Sequence, residues 1–191
     1  YKREDRYDIV YSPPEDYSYI KDVLFYKKGE SVIRILKEAS QSNKAIYFSN
    51  SAREAYETMK VFQERASFIC SPDKDWFGKF SDKKTLEEIV KYSMFSTDIL
   101  CTTKLLDTGV NLEDEAIKTI IIDSTNPVNI IQSIGRKRVL SEEDRIMVYV
   151  KNVHGGDVYQ GITKCSKILW WAKELEHLGR DEFQIRYRKT N

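Results

Sequence analysis

Two periods of hydrophobicity alternate along most of the chain. Short continuous apolar runs are typical of buried strands, whereas apolar residues that recur every three or four positions are typical of amphipathic helices. The strand-like runs are DIVYS (8–12), DVLFY (22–26), KAIYFS (44–49), SFIC (67–70), DILCT (98–102), KTIIID (118–123) and RIMVYV (145–150). Strands that alternate with helices predict an α/β fold, a parallel sheet with helices on both faces. The first two runs are interpreted as a leading segment or an edge strand.

Four helices are predicted between these strands: ESVIRILKEA (30–39), SAREAYETMKVFQER (51–65), TLEEIVKYSMF (85–95) and NPVNIIQSIG (126–135). Ser51 and Glu54 form the S-x-x-E pattern of a capping box at the start of the second helix. Asn126 followed by Pro127 predicts the start of the fourth helix, and Gly135 predicts its end. The face expected to hold the fourth helix against the sheet consists of Val128, Ile131 and Ile134.

The pattern changes after the His-Gly-Gly run at 154–156. The next segment carries an apolar stripe at helical spacing, which consists of Ile162, Cys165, Ile168, Leu169, Ala172 and Leu175. This stripe predicts a short C-terminal helical extension, and Gly179 is expected to stop the helix. FQIRYR (183–188) would add a strand or simply form the tail.

The predicted division of the chain has three parts. Residues 1–43 form a leading segment and first helix that lead into the domain, 44–153 form the central domain, and 154–191 form the helical extension. Adjacent Trp170 and Trp171 in the extension suit either base stacking or packing. Packing within the chain or between domains is the favoured interpretation, because their helix already explains at least one of them.

The charge balance excludes a dedicated nucleic-acid binder with a broad basic surface. The 191 residues include 31 Lys and Arg against 30 Asp and Glu, a net charge of +1. Contacts with phosphate must therefore come from a few placed groups.

Cysteine usage and hydropathy favour a cytoplasmic protein. Cys70, Cys101 and Cys165 are widely spaced within apolar runs, which predicts buried free thiols in a reducing compartment. His154 and His177 lack metal-ligand spacing to the cysteines, so no metal site is expected. The sequence has neither a signal peptide nor an apolar stretch long enough for a membrane span. Since it starts with Tyr1 and not Met, we expect it to be part of a larger protein.

Small polar residues and a basic pair follow three of the predicted strands. AIYF is followed by SNS (49–51), DILC by TTKLLDTGVNL (102–112), and TIIID by STN (124–126) and the helix that runs into QSIGRKR (132–138). In parallel α/β sheets, ligands bind at the carboxyl ends of the strands. Hydroxyls, glycine and helix N-termini at that edge suit an anion such as phosphate.

In order, AIYFSNS, DILCTTKLLDTGVNL and QSIGRKR resemble motifs IV, V and VI of superfamily-two helicases. The resemblance covers roughly residues 44–150, and its most specific part is T-x5-G-V-N-L followed by Q-x2-G-R-x-R. It implies that residues 44–153 form the second RecA-like motor domain of an ATP-dependent helicase or translocase.

The resemblance implies a role for each motif VI residue. Gln132, Arg136 and Arg138 would reach the phosphates of ATP bound on the other motor domain, with Arg138 as the arginine finger. Gly135 would let the helix end lie close to that partner domain. A guanidinium is always charged and can fork onto phosphate oxygens, which suits this role.

Motifs IV and V imply a second set of contacts. Thr103, Ser49 and Ser51 would contact the nucleic-acid backbone, and Gly109 and Asn111 would face the nucleotide. Asn111 stands where many relatives have Asp.

Motif VI also departs from the common pattern. Many relatives have two residues between the arginines, whereas this chain has only Lys137. The shorter form is similar to that of the branch containing viral origin-binding helicases, and DNA is favoured over RNA as the nucleic acid.

The sequence lacks a phosphate-binding loop of the form G-x4-G-K-[ST]. ATP with Mg would thus be bound mainly by a first RecA-like domain of the same parent protein, and this chain alone is expected to be inactive. Two other functions stay open, a nucleotide-binding domain of a two-domain transferase and a motor-like binding module without catalysis. The basic run at 136–138 could also be a solvated helix end.

Overall fold

The computed structural model describes residues 17–27, 32–73, 76–103, 110–153 and 155–187. The strands are β1 (Ile20–Tyr26), β2 (Lys44–Phe48), β3 (Ala66–Ile69), β4 (Ile99–Thr102), β5 (Ile117–Ile122) and β6 (Ile146–Lys151). The helices are α1 (Val32–Ala39), α2 (Ala52–Phe62), α3 (Lys83–Tyr92), α4 (Pro127–Ile134) and α5 (Gly155–Tyr187), with 3-10 turns at Gln63–Arg65 and Phe77–Phe80. The predicted run DIVYS lies outside the described residues.

The six strands form one sheet in the order β1-β6-β5-β2-β4-β3, and every neighbouring pair is parallel. The α/β prediction is therefore confirmed, and β1 is an edge strand that pairs with β6. All four residues of β4 and the last four of β5 are buried, as expected for strands covered on both faces.

Two apolar cores lie on opposite faces of the sheet. On one face, α3 and α4 pack over residues that include Ile46, Leu100, Leu112 and Ile120. On the other, α1 and α2 pack over a cluster that includes Tyr47, Phe68 and Ile121. Because neighbouring residues of a strand point to opposite faces, Ile46 and Tyr47 belong to different cores. The prediction of helices on both faces is confirmed.

Polar N-caps start three of the helices. The Ser51 and Asn126 side chains accept hydrogen bonds from the Glu54 and Val128 N–H groups at the starts of α2 and α4. Asp82 does the same for α3 through the Thr85 N–H, so that helix starts before the predicted residue 85. In a capping box the N–H of the cap residue bonds the side chain of the third helical residue. Here the Ser51 N–H donates to Ser49 Oγ at 3.1 Å instead.

The chain divides into two compact units, Tyr1–Lys151 and Asn152–Asn191. The first unit includes β1 and α1, which were predicted to belong to a leading segment, 1–43, and not to the central domain, 44–153. In the second, α5 is interrupted at Gly179, whose backbone φ of 72° and ψ of 170° are non-helical. A positive φ is readily adopted by glycine, so the predicted helix stop coincides with a kink. FQIRYR is helical as far as Tyr187, so it does not add a strand.

An aromatic cluster joins the two helical segments on either side of this kink. The Trp171 ring lies 5.3 Å from that of Phe183 and 4.8 Å from that of Tyr187, and Trp170 lies 5.6 Å from Tyr187. The favoured packing interpretation of the tryptophans agrees with these contacts. The predicted apolar stripe, by contrast, is largely exposed, as is Cys165, so the expectation that all three thiols are buried is wrong.

Within the described part of the chain, no helix combines the length and the apolar content that a membrane span requires.

Candidate functional site

The carboxyl ends of β4, β2 and β5 place Thr103, Ser49 and Asp123 in one row, and the first two are among the residues predicted to contact the nucleic-acid backbone. The Ser49 N–H donates to the Thr102 carbonyl at 2.8 Å, and the Asp123 N–H donates to the Phe48 carbonyl at 2.8 Å. These bonds extend the sheet register by one residue, so Ser49 lies beside Thr103 on one side and Asp123 on the other. Neighbouring strands are about 4.8 Å apart, which is the spacing of this row.

Ser49 and Ser51 have different environments at the start of α2. Ser49 is buried, and its Oγ accepts the Ser51 N–H, whereas Ser51 is half-buried and caps the helix. Ser51 thus lies at the positive end of a helix dipole, where phosphate binds favourably. Ser49 shapes the turn that presents Ser51.

Thr103 is buried directly after β4, and its N–H lies 3.4 Å from the Ile69 carbonyl of β3. Its own carbonyl accepts a hydrogen bond from Thr102 Oγ1 at 3.1 Å. The chain after Thr103 leads into 104–109, so Gly109 lies outside the described residues. Asn111 is half-buried, one residue before Leu112.

A small cleft lies between the carboxyl end of β2 and α4. It is lined by Phe48, Ser49, Asn50, Ile122, Ser124, Asn129 and Ser133. Ser124 Oγ accepts bonds from the Asn126 N–H and from Asn129 Nδ2, both at 3.2 Å. Ser124 was among the polar residues expected at this edge, whereas no role was predicted for Asn129 or Ser133.

Helix α4 presents a different face from the predicted one. Val128 and Ile131 are exposed by 58% and 61%, while Ile130 and Ile134 pack against the core. The prediction that Val128 and Ile131 hold the helix to the sheet is therefore wrong, although that for Ile134 is right. Ile130 and Ile134, four residues apart, form the side of the helix that packs on the core, and the exposed Val128 and Ile131 lie away from its centre.

Gln132 and Gly135 lie at the exposed C-terminal end of α4. Gly135 has a φ of −64°, a value that any residue adopts, and its N–H bonds the Ile131 carbonyl. A Cβ at this position would lie 3.3 Å from that carbonyl oxygen. A side chain here would meet only backbone oxygens of its own helix, and the backbone angle is an ordinary one.

The two arginines lie beyond α4, in a segment that pairs with Leu112. The Leu112 N–H donates to the Arg136 carbonyl at 2.7 Å, and the Arg138 N–H donates to the Leu112 carbonyl at 2.8 Å. These bonds make a parallel bridge between Leu112 and Lys137. The structure thus joins motif V to motif VI through the backbone. Arg138 is exposed and Arg136 half-buried.

Lys137 points inward, and its side chain is 1% exposed. Its Nζ forms an ion pair with Asp144 Oδ2 and donates to the Arg138 carbonyl at 2.6 Å. Asp144 also bonds Lys118 Nζ at 3.1 Å and accepts the Leu140 N–H at 3.2 Å. Burial raises the pKa of the Asp144 carboxyl, but the hydrogen bonds from Lys137, Lys118 and Leu140 outweigh it and hold the pKa below its ordinary value.

Lys137 was expected to be a spacer between the arginines or part of a solvated helix end, and no role was predicted for Asp144. Asp144 lies in the charged run SEEDR, where the sequence does not distinguish it from its acidic neighbours. Among the described residues, no group of three or more His, Cys, Asp or Glu side chains could hold a metal ion.

A family model, helicase conserved C-terminal domain, matches residues 27–139, more than half of the chain. No curated protein matches the chain. Among solved structures, S. cerevisiae Dbp5 bound to RNA and ADP BeF3 has 16% identity and a TM-score of 0.50 over 78% of this chain. The C-terminal domain of Dbp5 has 15% identity and a TM-score of 0.47, with 81% of this chain and 87% of that one covered.

Mycobacterium smegmatis helicase Lhr bound to ssDNA and AMP-PNP has 15% identity and a TM-score of 0.44 over 65% of this chain. The chain spans 17% of the Lhr chain and 39% of the Dbp5 chain in the RNA complex. The likeness to Dbp5 in the RNA complex, at a TM-score of 0.50 and 16% identity, shows the fold alone, a RecA-like sheet. The resemblance to the branch with viral origin-binding helicases stays a prediction. On the family match, the chain belongs to the helicase conserved C-terminal domain family.

Proposed function

We propose that this chain is the second motor domain of an ATP-dependent nucleic-acid helicase or translocase, and that it supplies an arginine finger. The observation that carries the proposal is the segment Arg136–Arg138, whose backbone is tied to Leu112 while Lys137 is buried between the arginines. That arrangement holds two guanidinium groups at the end of a RecA-like domain's α4. The same arrangement argues against a solvated helix end, because α4 stops at Ile134.

In this proposal Arg138, with Arg136 beside it, contacts the phosphates of ATP held by a first RecA-like domain. A planar guanidinium donates two parallel hydrogen bonds to phosphate oxygens and stabilises the negative charge of the transition state. Gln132 on the last turn of α4 and Asn111 beside the Leu112 bridge would face the same nucleotide. ATP with Mg would supply the phosphoryl group. This chain would supply the guanidinium groups of Arg138 and Arg136.

We propose that nucleic acid binds at the carboxyl ends of β4, β2 and β5. Ser51, at the N-terminus of α2, offers a half-exposed cap position to a phosphate. Ser49 and Thr103 are buried, so we propose that they shape this edge of the sheet and do not make broad contact with nucleic acid. DNA is proposed over RNA because of the motif VI spacing. The same proposal includes ATP hydrolysis by the parent protein, a cytoplasmic location and a first RecA-like domain in the same parent protein.

The transferase alternative shares the sheet and a basic phosphate contact. It offers no reason for motif V to be bonded to motif VI through Leu112. The inactive binding-module alternative is disfavoured because Gln132, Arg136 and Arg138 are all present.

The test is ATP hydrolysis by a protein that joins this chain to a first motor domain, in the presence of single-stranded nucleic acid. Arg138→Ala should lower turnover by about 10³- to 10⁵-fold, as loss of an arginine finger does. Arg145→Ala is the matched control, since Arg145 is an exposed arginine that lies outside the motif VI segment. Near-normal turnover in Arg138→Ala and Arg136→Ala, with intact thermal melts, would overturn the proposal.

A further inference from the structure

The single residue between the two arginines creates a geometric problem. In a helix, successive side chains are about 100° apart, so residues i and i+2 point in nearly opposite directions. A helical R-x-R could therefore not direct both guanidinium groups toward one ligand. A spacer of two residues would suit a helix, because residues three apart lie on the same face.

The backbone resolves this problem at Lys137, which leaves the turn after α4 and bridges Leu112 as a strand residue does. In a parallel bridge the central residue lies opposite its partner, and the partner's N–H and carbonyl bond the two flanking residues. Here Leu112 bonds Arg136 and Arg138, and Lys137 lies opposite Leu112. Alternate residues of an extended chain point to the same side. Arg136 and Arg138 therefore share one side, and Lys137 points to the other, the side of the buried Leu112.

Lys137 ends in a closed polar network on that inner side. Its ammonium bonds Asp144 and the Arg138 carbonyl, and the Asp144 carboxylate also bonds Lys118 and the Leu140 N–H. A buried ammonium without its carboxylate would be strongly unfavourable. Turning the segment over would expose Lys137 but direct both arginines inward. The ion pair thus selects the orientation in which both arginines lie on the side away from Lys137, with Arg138 exposed and Arg136 half-buried.

We propose that Lys137 and Asp144 are positioning residues for the motif VI arginines, which they hold on one side of an extended segment. Asp144 is suited to this role because its N–H bonds the Ser141 carbonyl and closes the turn that leads into β6. The ion pair therefore connects the arginine segment to the turn before β6. The main-chain bridge connects the same segment to Leu112. The proposal rests on the proposed function, since it concerns the same arginines.

The matched pair of variants is Lys137→Met and Lys118→Met. Each removes one ammonium from Asp144, but only Lys137 lies in the arginine segment, and Lys118 belongs to β5. In this chain, hydrogen exchange of the Arg138 amide reports whether its bond to Leu112 persists. We expect its protection to fall about 10-fold or more in Lys137→Met and to stay unchanged in Lys118→Met.

The second readout is steady-state ATP hydrolysis in the protein joined to a first motor domain. Lys137→Met should lower kcat by about 10- to 100-fold, as small displacements of catalytic groups do, with little change in KM for ATP. Lys118→Met should keep kcat within about 2-fold. The double variant Lys137→Met with Asp144→Leu replaces the pair by apolar groups and can be as stable as the native chain. We expect it to melt normally and still to have low kcat, a result that a merely structural pair would not produce.

Normal kcat and normal Arg138 protection in Lys137→Met would overturn the positioning role. So would full recovery of kcat in the double variant, because stability alone would then explain the single one. Arg138→Ala is measured in the same assay to separate the two proposals. If Arg138→Ala loses turnover and Lys137→Met does not, only the positioning role is wrong. If Arg138→Ala keeps full turnover, the arginine-finger function is wrong and the positioning role falls with it.

Discussion

The backbone N–H of Arg138 donates a hydrogen bond to the carbonyl of Leu112 at 2.8 Å, although 26 positions separate them in the sequence. This bond joins the end of the T-x5-G-V-N-L block directly to the Q-x2-G-R-x-R block. Leu112 is itself buried in the core beneath α3 and α4. A displacement at Leu112 is therefore passed to both arginines through main-chain bonds.

The purified chain should not hydrolyse ATP. It contains no G-x4-G-K-[ST] loop, and its described residues contain no cluster able to hold a metal ion, the two parts that position phosphates in this chemistry. Steady-state phosphate release, with and without single-stranded nucleic acid, should equal the buffer background. Turnover that persists through further purification and disappears in Arg138→Ala would contradict this prediction.

Binding of nucleic acid by the chain should be weak, independent of sequence and only slightly sensitive to salt. The net charge of +1 leaves few cations to neutralise phosphates. With one to three phosphate contacts, log K against log salt should have a slope of roughly −0.7 to −2 for single strands. Fluorescence anisotropy over a salt series, on DNA and RNA of two unrelated sequences, measures this. A steep slope or tight discrimination between sequences would show that a different binding surface is at work.

The Asp144 carboxyl should make the stability of the chain depend on pH. Its pKa is held below the ordinary value, so its contribution to the free energy of unfolding is full above about pH 4 and is lost as the pH falls through the lowered pKa. Asp144→Asn should cost about 3–5 kcal/mol at pH 7, because it leaves the buried Lys137 ammonium without its anion. Urea melts at a series of pH values should show the difference from the native chain shrinking in acid.

Glu142→Gln is the control for that series, since Glu142 is an exposed carboxylate in the same loop. It should change the free energy of unfolding by no more than about 0.5 kcal/mol. A constant difference between Asp144→Asn and the native chain down to pH 2 would mean that the carboxylate charge is not what stabilises the fold.

One of the three thiols should react much faster than the others in the folded chain. Cys165 is exposed, whereas Cys70 and Cys101 are buried, and burial raises the pKa of the Cys101 thiol to about 12. Since the thiolate is the nucleophile, maleimide at pH 7 should modify one thiol quickly and all three after urea is added. Mass spectrometry gives the count. The variant Cys165→Ser should lose the fast phase, and fast labelling of Cys101 would contradict the packing of β4.

The sequence by itself determined the elements and their caps, because these depend on neighbouring residues. The alternation of apolar runs and helical stripes predicted the parallel sheet, and Ser51 and Asn126 predicted helix starts through bonds to their own N–H groups two or three residues on. The motif spacing likewise predicted the family, since it is read along the chain.

Tertiary structure decided which sides of these elements are inside. The sequence pattern of α4 suggested Val128 and Ile131 as core residues, but the helix is rotated so that Ile130 and Ile134 meet the sheet. Isoleucine and valine occur on several sides of this short helix, so hydrophobicity alone does not select among them. Only the docking of α4 against β5 makes that selection.

The orientation of the two arginines was decided in the same way. Nothing local makes Lys137 a buried residue, because lysine is usually exposed. It becomes one because Leu112 offers a strand-like partner and Asp144 a carboxylate, and both reach this point only through the folded chain. The sequence specifies the two arginines and their spacing. That both lie opposite the buried Lys137 follows from two long-range contacts, a main-chain bridge and a buried ion pair.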